Sequence, residues 1–392
     1  MQNNKNEVFI TPEYITKFNC IGKDCIDSCC TGFNIELDKE TYKKYIKSPD
    51  KKINLISKKY IIKNKTEANL SFAKIENKNH SCPFLANDKL CKAYSLLGKE
   101  SLSVGCSTYP RVIKRFKEAT FLAGEISCPE IARLCLSTPN IKIKKLKKNN
   151  LKNIFNSNKI YSNDISKNLS ADTINFIEKV FLKLSNKDTF FKNLEEIIIS
   201  YYNIHNKIDY FTKSKAFIFD KEHLKESNLL LQSNFLPKIC FRKKLDNYLR
   251  YQKICIKAAE KSKYFYLNEN EFKKKYIYNY KSKFNKFIIE NNYLLKNFFL
   301  NEFIKNIEGL QLSIDFFDGF IREVLYKLNM SNFLITCLSF EDNKKITIDD
   351  YVKVLSAIQK ITQNSEDKKT LIINFFKKLD KNNLFLRLFD IY

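Results

Sequence analysis

Tryptophan is absent from the chain, and glycine, proline, histidine and methionine are scarce, at seven, seven, three and two residues in 392. Seven glycines leave almost no material for a Gly-rich nucleotide-cradling loop, so a Rossmann-type fold is not expected. Only one of the three histidines, His80, lies among the densest cysteines, so any metal site there must be nearly all sulfur. No apolar run approaches the length that spans a bilayer. The start, Met1 to Thr11, has neither the basic n-region nor the apolar h-region of a secretory signal. The expected location is therefore the cytoplasm, where thiols stay reduced.

The residues that are present describe a globular chain. Hydrophobic residues make up 44%, and the length suffices for two or three domains with a buried core. The net charge of +26 invites a nucleic-acid reading, but its distribution argues against one. Residues 1–140 carry a net +8 and residues 141–392 a net +18, a similar excess per residue. Such an even spread, with abundant Lys, Asn and Ile, reads as compositional bias, and no dedicated nucleic-acid site is expected.

Glycine, proline and cysteine divide the chain. Five of the seven glycines precede residue 125, six of the seven prolines precede residue 140, and nine of the twelve cysteines precede residue 136. Residues 1–138 therefore read as a loop-rich cysteine-cluster module. Residues 139–172, with Lys142, Lys144, Lys145, Lys147 and Lys148 after Pro139, read as a basic and polar linker. Residues 173–392 read as an all-helical domain, which makes the chain mainly α and gives a candidate surface for substrate docking. The stripes Leu194, Ile197, Ile198, Tyr201, Tyr202 and Tyr351, Val354, Leu355, Ile358, Ile361 have helical spacing, and Tyr264–Phe303 should hold two more helices. In the first module Asp38 is placed to cap a helix running to about Lys47. Gly98 should stop a helix over Lys92–Leu97. Pro129 should start a helix with Cys128 as its N-cap.

The cysteines carry the chemistry. They run C20-x4-C25-x3-C29-C30, then C82-P-F-L, C91, C106-x3-P-R and S-C128-P-E. In a reducing compartment this density favours metal or redox chemistry over disulfides, and thiolates suit zinc or iron–sulfur clusters. The candidate ligands are Cys20, Cys25, Cys29, Cys30, Cys82, Cys91, Cys106 and Cys128. Eight thiols serve two tetrahedral zinc sites, or one four-iron cluster with some to spare, and spacing does not choose between them. A thiolate at Cys128 should gain from the free amides and dipole of its helix. Cys135, Cys240, Cys255 and Cys337 read as core residues, and His80 as a surface loop residue more than a ligand.

These motifs together resemble the flagellin lysine-N-methylase family. The matching residues are Phe18, Cys20, Cys25, Cys29, Cys30 and Gly32; Cys82 to Leu85; Leu90 and Cys91; Cys106 and Thr108 to Arg111; and Ser127 to Glu130, Ala132 and Arg133. Farther on, Leu294–Ile307 and the segment from Tyr351 are similar to the family's helical tail. The resemblance implies a protein-lysine N-methyltransferase that uses S-adenosylmethionine and a 4Fe-4S cluster. It implies flagellin, or another protein, as substrate.

Methylating a lysine requires a deprotonated amine, a donor sulfonium in line with it, and exclusion of water. The C-x3-C-x2-C spacing of radical-type clusters is not met, because Gly32 stands where its third cysteine would be. A cluster iron with an open position is the expected holder of the donor's amino-acid end. Tyr109 and Arg111 are candidates for gripping a carboxylate or acting near the amine, and Glu130 is a candidate base, with Glu125 beside it. Two other readings stand: a zinc or iron–sulfur scaffold for protein interaction without catalysis, and a thiol redox or metal-handling protein using Cys29 and Cys30.

Overall fold

A computed structural model describes residues 8–33, 35–78, 81–147, 167–206, 249–311, 313–340 and 345–364. His80 and Cys240 lie outside the described residues. Among the described residues the strands are β1 (Val8–Pro12), β2 (Ile35–Leu37), β3 (Ile61–Ala68), β4 (Ser71–Ile75), β5 (Arg111–Arg115), β6 (Thr120–Gly124) and β7 (Ile143–Lys147). They form two sheets, ordered β5-β6-β1-β7 and β2-β4-β3. The first is mixed: β1 runs parallel to β6, with Phe9 opposite Thr120, and antiparallel to β7. The second is wholly antiparallel.

The helices of the first third are α1 (Glu13–Lys17), α2 (Lys39–Ile46), α3 (Lys51–Tyr60), α4 (Lys92–Leu97), α5 (Val104–Thr108) and α6 (Pro129–Leu136). Their ends follow local chemistry. Asp38 accepts the Thr41 amide at 2.8 Å and caps α2, as the sequence predicts. Asp50 caps α3 in the same way. Gly98, at φ +80°, stops α4, a conformation that a side chain resists. Pro129 opens α6 directly after Cys128.

The rest is helical where described: α7 (Ala171–Ser185), α8 (Phe190–Ile204), α9 (Leu249–Lys261), α10 (Glu269–Asn279), a π turn over Tyr280–Phe284, α11 (Asn285–Glu290), α12 (Tyr293–Leu310), α13 (Ile314–Leu338) and α14 (Ile348–Asn364). The expected stripes fall on α8 and α14, and Tyr351, Leu355 and Ile358 are buried. The chain is thus mainly α, but its cysteine-bearing third is not simply loop-rich. It rests on two sheets, which the sequence reading did not place.

Among the described residues two apolar cores organise the fold. The large one runs from Phe9, Tyr14 and Phe121 through Ile131 and Leu136 to the aromatic interior of α7, α8, α12, α13 and α14. The small one holds Ile35, Leu37, Tyr45, Ile53, Phe72, Ala73, Ile75, Cys82, Phe84 and Ala93, with Cys30 and Cys91 against it. The change of composition near residue 138 is therefore not a break in packing. β7 lies within the stretch read as a linker and pairs with β1 along five residues. Buried Leu169, near the end of that stretch, donates its amide to Glu118 at 2.9 Å.

Helix α12 joins the halves, and it is buried on almost every side. Asn301 takes the Gly124 amide and donates to the Gly124 carbonyl, both at 2.9 Å, so it acts as a strand partner for the end of β6. Its Oδ1 also accepts from the hydroxyl of Tyr14. Asn297 donates to the carbonyls of Cys135 and Thr138 at 2.9 and 2.8 Å and so satisfies the end of α6. Gly124 permits this close packing, because a Cβ there would stand 2.6 Å from Ile131 Cγ2. Among the described residues no helix is long and apolar enough to cross a membrane.

Candidate metal centre

Four chain segments bring the cysteines together. The first loop, carrying Cys20 to Cys30, is folded on its own polar side chains. Asp27 accepts the Ser28 amide at 2.8 Å, and Ser28 Oγ accepts the Cys30 amide at 3.1 Å. The second segment is tied to the first by the Cys82 amide, which donates to the Cys30 carbonyl at 2.8 Å. A tight loop closed by a bridge between Leu85 and Cys91 sets Cys91 ahead of α4. In the third segment Ser103 caps α5 and accepts the Cys106 amide at 3.2 Å. Asp38 Oδ2 also accepts the Val104 amide at 3.1 Å, which fixes α5 to the cap of α2. The fourth segment is Cys128 at the start of α6.

The thiols fall into two groups by the charges they feel. Cys29, Cys30, Cys82, Cys91 and Cys106 form one, of which Cys82 lies in the small core and Cys30 and Cys91 pack against it. Cys20, Cys25 and Cys128 form the other, and Cys25 also feels Cys29. Among the described residues no three His, Cys, Asp or Glu side chains converge as the ligand set of one metal ion. Cys82 is buried, Cys25, Cys30, Cys91 and Cys128 are half-buried, and Cys20, Cys29 and Cys106 are exposed.

Burial dominates most of these thiols. It pushes Cys82 up to about 12, and raises Cys25 and Cys91. Cys106 has an exposed residue surface, but protein packed around its thiol pushes it up to about 11. Cys128 is raised to about 12 even though the amides of Ile131 and Glu130 favour its thiolate. The expected gain from the helix start is thus present but outweighed by desolvation. Cys29 is the exception. The Cys30 thiol hydrogen-bonds to it and Lys360 stands near, which lowers it to about 7, while Cys30 is raised in return.

The donor set is all sulfur, the chemistry that thiophilic metals take, although no three of its members converge among the described residues. Most of the eight thiols are pushed toward their neutral form. A bound cation would reverse that balance by compensating the thiolates. The chemistry of the set serves iron–sulfur and zinc alike.

The other candidate residues surround these groups. Tyr109 packs its ring 5.6 Å from that of Phe33, and its hydroxyl lies 3.3 Å from Ser127 Oγ. Burial, helped by the charges of Cys128 and Cys29, holds this phenol well above its usual range, so it is neutral. Arg111 lies 4.9 Å over the ring of Phe18. Burial lowers its pKa, and the neighbouring Cys128 and Cys20 oppose that shift. Glu130 is held by Arg133 through two hydrogen bonds of 2.8 and 2.6 Å, which commits its carboxylate as an acceptor. Glu125 is engaged by Lys305 at 2.8 Å and by Gln363.

The sequence reading missed the polar residues behind this site. Buried Glu302 accepts from Gln359 at 3.0 Å and pairs with Lys305 and Lys327 at 3.1 and 3.3 Å. Asp27 is bound by Lys360 and Arg250 from two helices. A signal for the first existed. Asn297, Asn301 and Lys305 fall at one-turn spacing on α12, with Glu302 beside them, and a helix so deeply buried needs partners for them. Of the remaining cysteines, Cys135, Cys255 and Cys337 lie in the large core.

Two lysine-N-methylases, from Salmonella typhimurium and Salmonella choleraesuis, are each 35% identical to the chain over 136 residues. The match covers 34% of this chain and 34% of each relative, so the chain spans about a third of their length. The flagellar biosynthetic protein FliU of Salmonella muenchen is also 35% identical over 136 residues, and there the match covers 80% of the relative. No family model and no solved structure matches the chain. The fraction of FliU covered, together with the cysteine motifs, shows that the chain belongs to the flagellin lysine-N-methylase family.

Proposed function

We propose that this chain is a protein-lysine N-methyltransferase that takes its methyl group from S-adenosylmethionine, holds an iron–sulfur cluster on its gathered cysteines, and acts on flagellin. The observation that carries the reading is the likeness to relatives named for lysine N-methylation and for flagellar biosynthesis. The all-sulfur donor set supports the cluster. The protein is proposed to work in the cytoplasm, with the helical half as docking surface for its substrate.

In this reading the thiols of Cys29, Cys30, Cys82, Cys91 and Cys106, and those of Cys20, Cys25 and Cys128, are the pool from which the cluster's ligands are drawn. A cluster held there would supply Lewis-acidic iron. The transfer itself is a displacement: the lysine nitrogen forms a bond to the donor's methyl carbon as that carbon's bond to sulfur breaks, and the amine sheds its proton beforehand. Arg111, a cation held over Phe18 beside the cysteines, suits the donor's carboxylate. Tyr109 stays protonated, so it serves as a hydrogen-bonding guide and not as a base. Glu130, bound by Arg133, braces the start of α6.

The test is anaerobic purification with iron, sulfide and zinc counted per chain, followed by incubation with methyl-labelled donor and unmodified flagellin monomers. Matching iron and sulfide with label on flagellin lysines is expected. Zinc without iron, and no transfer, would replace this reading with the scaffold.

A further inference from the structure

The first cysteine loop does not stand on its own chain segment alone. Lys360, on α14, reaches into it with its side chain almost wholly buried. Its ammonium donates to Asp27 Oδ1 at 2.8 Å, to the Ser28 carbonyl at 3.1 Å and to Thr31 Oγ1 at 3.2 Å. These acceptors use all three of its protons. The same ammonium lies 5.5 Å from the centre of the Phe33 ring, whose other neighbour is Tyr109. The second oxygen of Asp27 faces Arg250, on α9, at 3.5 Å. Arg250 is itself fixed to α14, by the Lys353 carbonyl at 2.7 Å and Ser356 Oγ at 2.6 Å. The loop between Cys25 and Cys30 is thus held from outside by two helices more than two hundred residues away in sequence.

We infer that Lys360 and Arg250 are positioning residues for the cysteine centre: through Asp27 they set the Cys25–Cys30 loop, and through Phe33 the ring of Tyr109, so that the helical half decides whether the ligands stand in place. That the centre holds a metal rests on the proposed function; the clasp itself does not. Local polar bonds within the loop, such as those from Asp27 and Ser28, shape it but leave it unanchored to the large core. A buried ammonium with three protein acceptors is costly to displace, so it fixes position and not merely charge.

The experiment compares hydrogen exchange over residues 25–33 and the rate of metal loss to a chelator in the full-length protein and its variants. Lys360→Met keeps the stem and removes the donors. It should raise exchange in this segment by about tenfold or more, and speed metal loss, with helical circular dichroism unchanged. Lys360→Arg should restore most of the protection. Asp27→Asn should weaken the clasp from the other side and add little to Lys360→Met, as expected of one network. Should Lys360→Met fail to fold, Asp27→Asn with Lys360→Arg decides. Folded variants with unchanged exchange over 25–33 overturn the inference. If the wild-type protein holds no metal, the cluster reading falls, and the exchange comparison still tests the clasp.

Discussion

The two cores of this protein are stabilised in different ways. The large one is a continuous aromatic and aliphatic interior in which Phe298, Phe299, Phe303 and Phe317 are fully buried. Each such side chain contributes roughly 1.5–3 kcal/mol by leaving water. The small one has ten buried residues, of which one is Cys82 and two are alanines, with Cys30 and Cys91 packed against it. A core of that size cannot sustain an independent fold without a staple. The comparison teaches that, with the proposed metal bound, metal and fold are one problem around the small core and two separate ones in the large core.

The sharpest way to break that comparison is to remove the proposed metal. Chelation should cost β2, β3, β4 and α4 their hydrogen-exchange protection, while β1, β6, α12 and α13 keep theirs. Equal loss in both regions would show that the large core depends on the centre as well.

Next in size is a truncation in the large core. Phe303 is fully buried against Phe176, Phe299 and Phe320. Phe303→Ala should destabilise the protein by about 3–5 kcal/mol in denaturant titration and leave the metal content of the folded fraction unchanged.

Acid tests the buried charges within the large core. Burial pushes Glu302 up, but Lys305, Lys327 and a hydrogen bond from Gln359 overcome it and hold Glu302 at about 2. A carboxylate lowered on folding contributes stability that is full above its unfolded value near 4.5 and is lost as pH falls through about 2. The loss should be about 3 kcal/mol over that window. Glu302→Gln should flatten stability between those pH values, and an unflattened profile would assign the effect elsewhere.

Two smaller changes separate the cores again. Gly124→Ala, which meets Ile131, should cost about 1–3 kcal/mol by overpacking the large core. Asp38→Ala removes the α2 cap and the acceptor for Val104, and should cost about 1–2 kcal/mol with its effect confined to the small core and Cys106. Hydrogen exchange resolved by segment distinguishes the two.

Local signals were readable from the residues themselves. Asp38, Gly98 and Pro129 mark helix ends because capping and backbone restriction act within a few residues. The stripe from Tyr351 to Ile358 marks α14 because burial repeats with the helical turn. The strands were not readable. Phe9 pairs with Thr120 across more than a hundred residues, and β7, with three lysines in five residues, looks like a solvated spacer until β1 lies beside it. The candidate site divided in the same way, since the eight cysteines announced themselves, whereas Lys360 and Arg250 were indistinguishable from ordinary surface or helix residues.

The sequence by itself determined the chemistry available to this protein: an all-sulfur donor set, helices with defined ends, and membership of a family that its motifs reveal. Those properties depend on residue identity and short spacing, which no later packing alters. Only the tertiary structure decided which thiols share a group, that burial outweighs the helix start at Cys128, and that α9 and α14 grip the first cysteine loop. These depend on contacts between segments distant in the chain, and on the loss of water around them, which arise only once the chain is folded.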